Sequence, residues 1–139
     1  MLNPEISRSF NSWLDRIVAD CPTDQIGAYG FLLYEHEDSF AVQLVGSARY
    51  VVGDPFALRE QVFSSGEDLV ELPRSVVGAD WPDGLEAAKN LIGSYLQQGK
   101  ERGRFSRGVV AVGFVDGDIE IISGAAYLRA GADFGPPPL

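Results

Sequence analysis

The side chains of this chain that could carry chemistry gather in two short acidic stretches. In YEHED, residues 34–38, the single histidine, His36, stands among Glu35, Glu37 and Asp38, and in DGDIE, residues 116–120, Asp116, Asp118 and Glu120 recur at every second position. An imidazole beside carboxylates is the pairing that general acid–base catalysis uses. Carboxylates at i, i+2 and i+4 share one face of a strand, where their oxygens could meet a hard cation or a basic partner. A third candidate is Trp81 in DWPDG, a large aromatic that either anchors a partner or packs half-buried against its own fold.

Residue types decide among these chemistries. Nucleophilic catalysis needs a Ser, Cys or Lys with a base, and His36 is the sole histidine available to serve. The G-x-S-x-G, P-loop and G-x-G-x-x-G patterns are absent. Cys21 has no histidine or basic residue close by in sequence to activate it, which suits a buried thiol at a helix end. Zinc needs three or four Cys or His ligands, or two with a carboxylate, and here one of each falls in different elements. The calcium-loop pattern D-x-[DN]-x-[DN]-G is missing too, and a straight strand does not wrap an ion. No catalytic residue, metal or cofactor is assigned on these grounds, and the chain is not expected to be an enzyme.

The elements that must position these residues follow from periodicity. Ile6, Phe10, Trp13, Leu14, Ile17 and Val18 take the spacing of one helical face and predict a helix over about 4–20, with Asn3 as cap and Pro4 in the first turn. IGAYGFLLYE, 26–35, is apolar at nearly every position, and FAVQLVGSARYVV, 40–52, alternates more clearly. Together they predict a hairpin over about 26–52, with His36 to Ser39 as its turn, so that the charges of YEHED are solvated at a tip. Asp54-Pro55 reads as a helix start and predicts a second helix over about 55–64, with Leu58, Val62 and Phe63 on one side. DLVELPRSVVG, 68–78, leaves one strand, two or none open, since Pro73 splits it and demotes any strand there toward an edge. Leu85, Ala88, Leu91, Ile92, Tyr95 and Leu96 predict a third helix over about 83–98. GVVAVGFV, Asp116-Gly117 and DIEIIS predict a second hairpin over about 108–123.

These elements make one α+β domain over residues 1–129, an antiparallel or mixed sheet built from two hairpins with the three helices packed on one or both faces. Residues 130–139, AGADFGPPPL, read as a Gly/Pro-rich mobile tail. The expected core is Trp13, Leu14, Ile17, Phe31, Leu33, Leu91, Val110 and Val112. The element order resembles that of the cytidine-deaminase-like fold, but DPFALRE and DWPDGLEA stand where that family carries its zinc motifs. The resemblance thus implies architecture without the catalysis.

Charge bounds the partners. Twenty acidic against eleven basic residues give a net charge of −9 and a pI near 4.4, a balance that repels phosphate backbones and anionic lipid and argues against nucleic-acid and membrane partners. Residues 1–99 hold fifteen acidic and six basic residues, whereas 100–139 hold five of each. No apolar run reaches the roughly 18 residues of a membrane span. The opening MLNPEISRSF lacks the basic and apolar regions of a secretory signal, and one cysteine allows no internal disulfide, so the cytoplasm is the expected compartment. The function expected is an acidic protein-binding domain, an inhibitor or immunity-type antitoxin of bacterial kind that neutralises a basic partner such as a toxin enzyme. Its candidate surface is Glu35, Glu37, Asp38, Trp81, Asp116, Asp118 and Glu120. The alternative is a small-molecule binding or sensory domain with a pocket between sheet and helices, using Tyr29, Tyr34, Tyr50 or Tyr95 as polar handles.

Overall fold

In a computed structural model the described residues are 3–52, 57–106 and 108–124, with the backbone of 133–134. Helix α1, Pro4–Ala19, starts where its cap dictates: Asn3 Oδ1 accepts from the amides of Glu5 at 2.9 Å and Ile6 at 3.2 Å. Its apolar stripe, Phe10, Trp13, Leu14, Ile17 and Val18, is buried. Strands β1, Ala28–Glu35, and β2, Ser39–Val51, form the expected first hairpin, from Ala28 opposite Ser47 to Glu35 opposite Phe40.

Three strands follow before the sheet's centre is completed: β3, Leu58–Ser64, β4, Val70–Pro73, and, after two helices, β5, Val109–Phe114. β5 lies parallel to β1, Ala28 opposite Val109 through Leu33 opposite Phe114, and this inner position is why both strands are apolar on both faces. β6, Glu120–Ser123, pairs antiparallel with β5 and makes the second hairpin. The sheet is mixed and runs β3-β2-β1-β5-β6, with β4 and the two-residue β7, Asp133–Phe134, also paired to the long β2. The tail expected over 130–139 lies outside the described residues except for Asp133 and Phe134, which pair with β2.

The helix expected over 55–64 is not formed; Leu58–Ser64 is strand β3 instead, and Asp54 and Pro55, on which that expectation rested, lie outside the described residues. Leu, Arg, Glu and Gln favour helix intrinsically, but β2 from Val45 to Tyr50 presents an edge that β3 pairs with, and pairing overrides propensity. Leu58 packs with the small cluster of Ala28, Val109 and Ala111, while Phe63 reaches the main core, across a register shift in the β2–β3 ladder. Of the possibilities left open over 68–78, one strand forms, β4, followed at once by the one-turn helix α2, Arg74–Val77. Helix α3, Trp81–Gln98, begins two residues before the expected start. The three helices are therefore α1, α2 and α3, and a strand stands where the deaminase-like order has its second helix.

All eight expected core residues fall in one buried cluster, to which α1, α3 and one face of β1, β2 and β5 contribute. The other face carries a smaller cluster built from Ala28, Tyr50, Ala57, Val109 and Ala111, with no helical residue in it. Among the described residues the long helices thus cover one face of the sheet.

Candidate functional site

The parallel pairing of β1 with β5 sets two chain ends side by side. Leu33 lies opposite Phe114 and accepts a hydrogen bond at its carbonyl from the Val115 amide at 3.2 Å, so Glu35 and Asp116 emerge at the same end of the sheet. Crevices outside the carboxyl ends of parallel strands are where open sheets place ligands. Beyond β5 the Gly117 amide donates to Phe114 O at 3.0 Å, closing a turn, and Asp118 and Ile119 stay unpaired before β6 begins. The loop is longer than the two-residue hairpin turn expected from Asp116-Gly117, and Asp116 and Asp118 belong to it and not to a strand face. Gly113 makes this fold-back possible, because a Cβ there would run into the Asp118 carbonyl.

The third wall is the start of α3. Asp83, in the first turn, accepts from the Asp80 amide at 3.2 Å, which fixes the helix start. Gly84 lets the helix settle on β2: a Cβ at that position would lie 2.6 Å from the Phe40 ring. Trp81 is thereby brought to Phe114, ring centroids 6.2 Å apart at 90°, and Phe114 meets Phe40 at 6.0 Å and 73°. Trp81 is nevertheless 56% exposed, far more than a packing residue of its size needs.

The result is an open cleft of about 530 Å³ with Trp81, Leu85 and Phe114 as its apolar lining and Glu35, Asp116, Asp118 and Glu120 as its carboxylates. A hollow of about 310 Å³ that includes His36 and Val115 adjoins it, sharing Glu35, Phe114 and Asp116. Five of the seven residues singled out by sequence therefore meet in one place. Glu37 and Asp38 do not; they occupy the exposed tip of the β1–β2 turn, closed by the His36 amide donating to Ser39 O at 2.9 Å. His36 is exposed, as a turn residue should be, and its Nδ1 lies 3.2 Å from Glu71 Oε1, an oxygen that the Ser39 hydroxyl also reaches.

Two cations enter this end of the fold. Lys89 on α3 lies 3.0 Å from Glu120 Oε1, and that hydrogen bond raises the lysine pKa. Arg74, which the sequence pattern did not single out, donates through Nε and Nη2 to His36 O at 3.1 and 2.9 Å and through Nη1 to Ala79 O. Its guanidinium sits 4.2 Å from the Phe40 ring centroid and 3.5 Å from Glu35 Oε1. A signal existed: it is the single basic residue between Arg59 and Lys89. Among the described residues Asp116 and Asp118 have no ion-pair partner.

Other candidates resolve as structural. Cys21 is 6% exposed, and burial pushes its thiol up to about 12, outweighing the nearby Arg104, which disfavours the thiolate. Three of the tyrosine handles are spent inside the fold: Tyr29 donates to Arg104 O at 3.0 Å, Tyr34 to Gln43 Oε1 at 2.7 Å and Tyr95 to Asp15 Oδ1 at 2.6 Å. Among the described residues no three His, Cys, Asp or Glu side chains are grouped to hold a metal ion, and no helix is long and apolar enough to cross a membrane. Compared with protein-family models, curated proteins and solved structures, the chain matches none.

Proposed function

We propose that this chain is an acidic protein-binding domain of inhibitor or immunity type, which acts in the cytoplasm by covering a basic surface of a partner protein such as a toxin enzyme. The observation that carries this reading is convergence: Glu35, Trp81 and the 116–120 loop, remote from one another in sequence, line a single open cleft. Net charge is a property of the whole surface and steers any basic molecule weakly; carboxylates gathered around an exposed indole give that attraction a place to end. The apolar lining supplies the short-range contact that charge alone does not, and the acidic loop can take positions that substrate phosphates would occupy on a nucleic-acid-directed enzyme. The small-molecule alternative is supported less well, since Tyr29, Tyr34 and Tyr95 have their hydroxyls bonded within the fold.

The test is kinetic. The partner is captured from the source organism, identified, and its association with the wild-type chain compared with the triple variant Glu35→Lys, Asp116→Lys, Asp118→Lys. The on-rate should fall about tenfold or more between ~0.01 M and ~0.15 M salt, as the Debye length shrinks from about 30 Å to about 8 Å, and the triple variant should lose that dependence. An on-rate that ignores both salt and charge reversal would overturn the proposal.

A further inference from the structure

We propose that the cleft receives an arginine side chain of the partner, its guanidinium laid on Trp81 and facing Asp116 and Asp118; this rests on the function proposed above. The charge balance of the cleft comes first. Glu35 and Glu120 already have cations, Arg74 at 3.5 Å and Lys89 at 3.0 Å, whereas Asp116 and Asp118 have none among the described residues. The occupant that complements this groove therefore brings positive charge to its loop side.

The apolar lining then selects which cation. An indole that is 56% exposed and packs at 90° against Phe114 lines the cleft beside its carboxylates. A planar, weakly hydrated guanidinium can stack on such a face while its N–H groups fork to carboxylate oxygens, whereas an ammonium is a compact and strongly hydrated point charge. The molecule already contains this arrangement once: Arg74 lies 4.2 Å over the Phe40 ring with its Nη2 toward Glu35, at the same end of the sheet. An opening of about 530 Å³ leaves room for one extended side chain with its backbone.

The probes are two blocked pentapeptides of equal charge, Gly-Arg-Gly-Arg-Gly and Gly-Lys-Gly-Lys-Gly, titrated into the full chain. Isothermal titration calorimetry is the readout, so that variants lacking Trp81 are followed in the same way as the wild-type chain. The arginine peptide should bind about threefold tighter than the lysine peptide. Trp81→Leu should remove that difference while leaving the weaker charge-driven binding, and Asp116→Asn with Asp118→Asn should weaken both peptides. Equal affinities in the wild-type chain, or an arginine preference that survives Trp81→Leu, would overturn the inference. If neither peptide binds while association with the native partner is still steered by salt, the arginine site is refuted and the basic-partner reading stands. Unchanged thermal melting of each variant, whose replaced side chains are exposed, excludes unfolding as the cause.

Discussion

Replacing Arg74 with alanine should destabilise the domain by about 3 kcal/mol, a large effect for a charged side chain near the surface. The side chain is 22% exposed, so its contacts are screened less than those of an ordinary surface ion pair. Its two bonds to His36 O share one acceptor and count as a single charge-assisted interaction of about 1.5 kcal/mol. The bond to Ala79 O adds roughly 1 kcal/mol, and the stack over Phe40 about 0.5 to 1 kcal/mol. Glu35, at 3.5 Å and half exposed, adds at most about 0.5 kcal/mol. The measurement is equilibrium unfolding in urea, where with an m-value near 2 kcal/mol/M the midpoint should drop by about 1.5 M. Arg74→Lys should recover roughly half, since an ammonium keeps charge but cannot bridge His36 O and Ala79 O together. An alanine variant within about 0.5 kcal/mol of the wild type would refute the view that Arg74 pins the β1–β2 turn to the start of α3.

Leu91→Ala, on the face of α3 that is buried in the main core, should cost roughly 2 to 5 kcal/mol by urea unfolding, and a near-neutral result would mean that this face is not packed against the sheet. His36→Ala should stay within about 0.5 kcal/mol, because its pairing with Glu71 is exposed on both sides; a loss of several kcal/mol would contradict a solvated turn. The Cys21 thiol should resist a disulfide reagent at pH 8 in the folded chain and react once unfolded, whereas labelling at a free-thiol rate would show that the helix end opens. With that thiol raised from 9.0 to about 12, its stabilising contribution is complete below pH 9 and is lost as pH climbs toward 12; Tyr29 and Tyr95, also raised by burial, act in the same direction. Unfolding free energy should therefore decline across that alkaline range, and a rise would contradict the burial of these groups.

What the sequence made legible was local. Two apolar-rich runs flanking the polar residues from His36 to Ser39 gave the first hairpin, and helical spacing from Ile6 to Val18 gave α1 with its Asn3 cap, because each pattern is written within one or two elements. The core list held for the same reason, as a residue on an apolar face has few places to go. β3 was misread because Leu58, Arg59, Glu60 and Gln61 are good helix formers, and nothing local announces the β2 edge that recruits them. The cleft was legible only as an inventory of residues. Its assembly depends on β1 and β5 pairing in parallel across some eighty residues of chain, and on Arg74 reaching back to the His36 carbonyl, contacts that no periodicity records.

Gathering four carboxylates at one end of a small sheet has an electrostatic cost, and the fold offsets it unevenly. Arg74 and Lys89 each face one carboxylate. A surface shaped only for solubility would disperse its acids or pair them, and would not set an exposed indole among them. Here Glu35 and Glu120 are compensated from within, while the loop that carries Asp116 and Asp118 is held out by the fold-back over Gly113 beside an aromatic wall. The uncompensated charge therefore sits on the loop beside Trp81, at the cleft, and not at the hairpin tip. On the function proposed above, a cation brought by a partner would meet Asp116 and Asp118 beside the exposed indole, where charge and apolar contact act together.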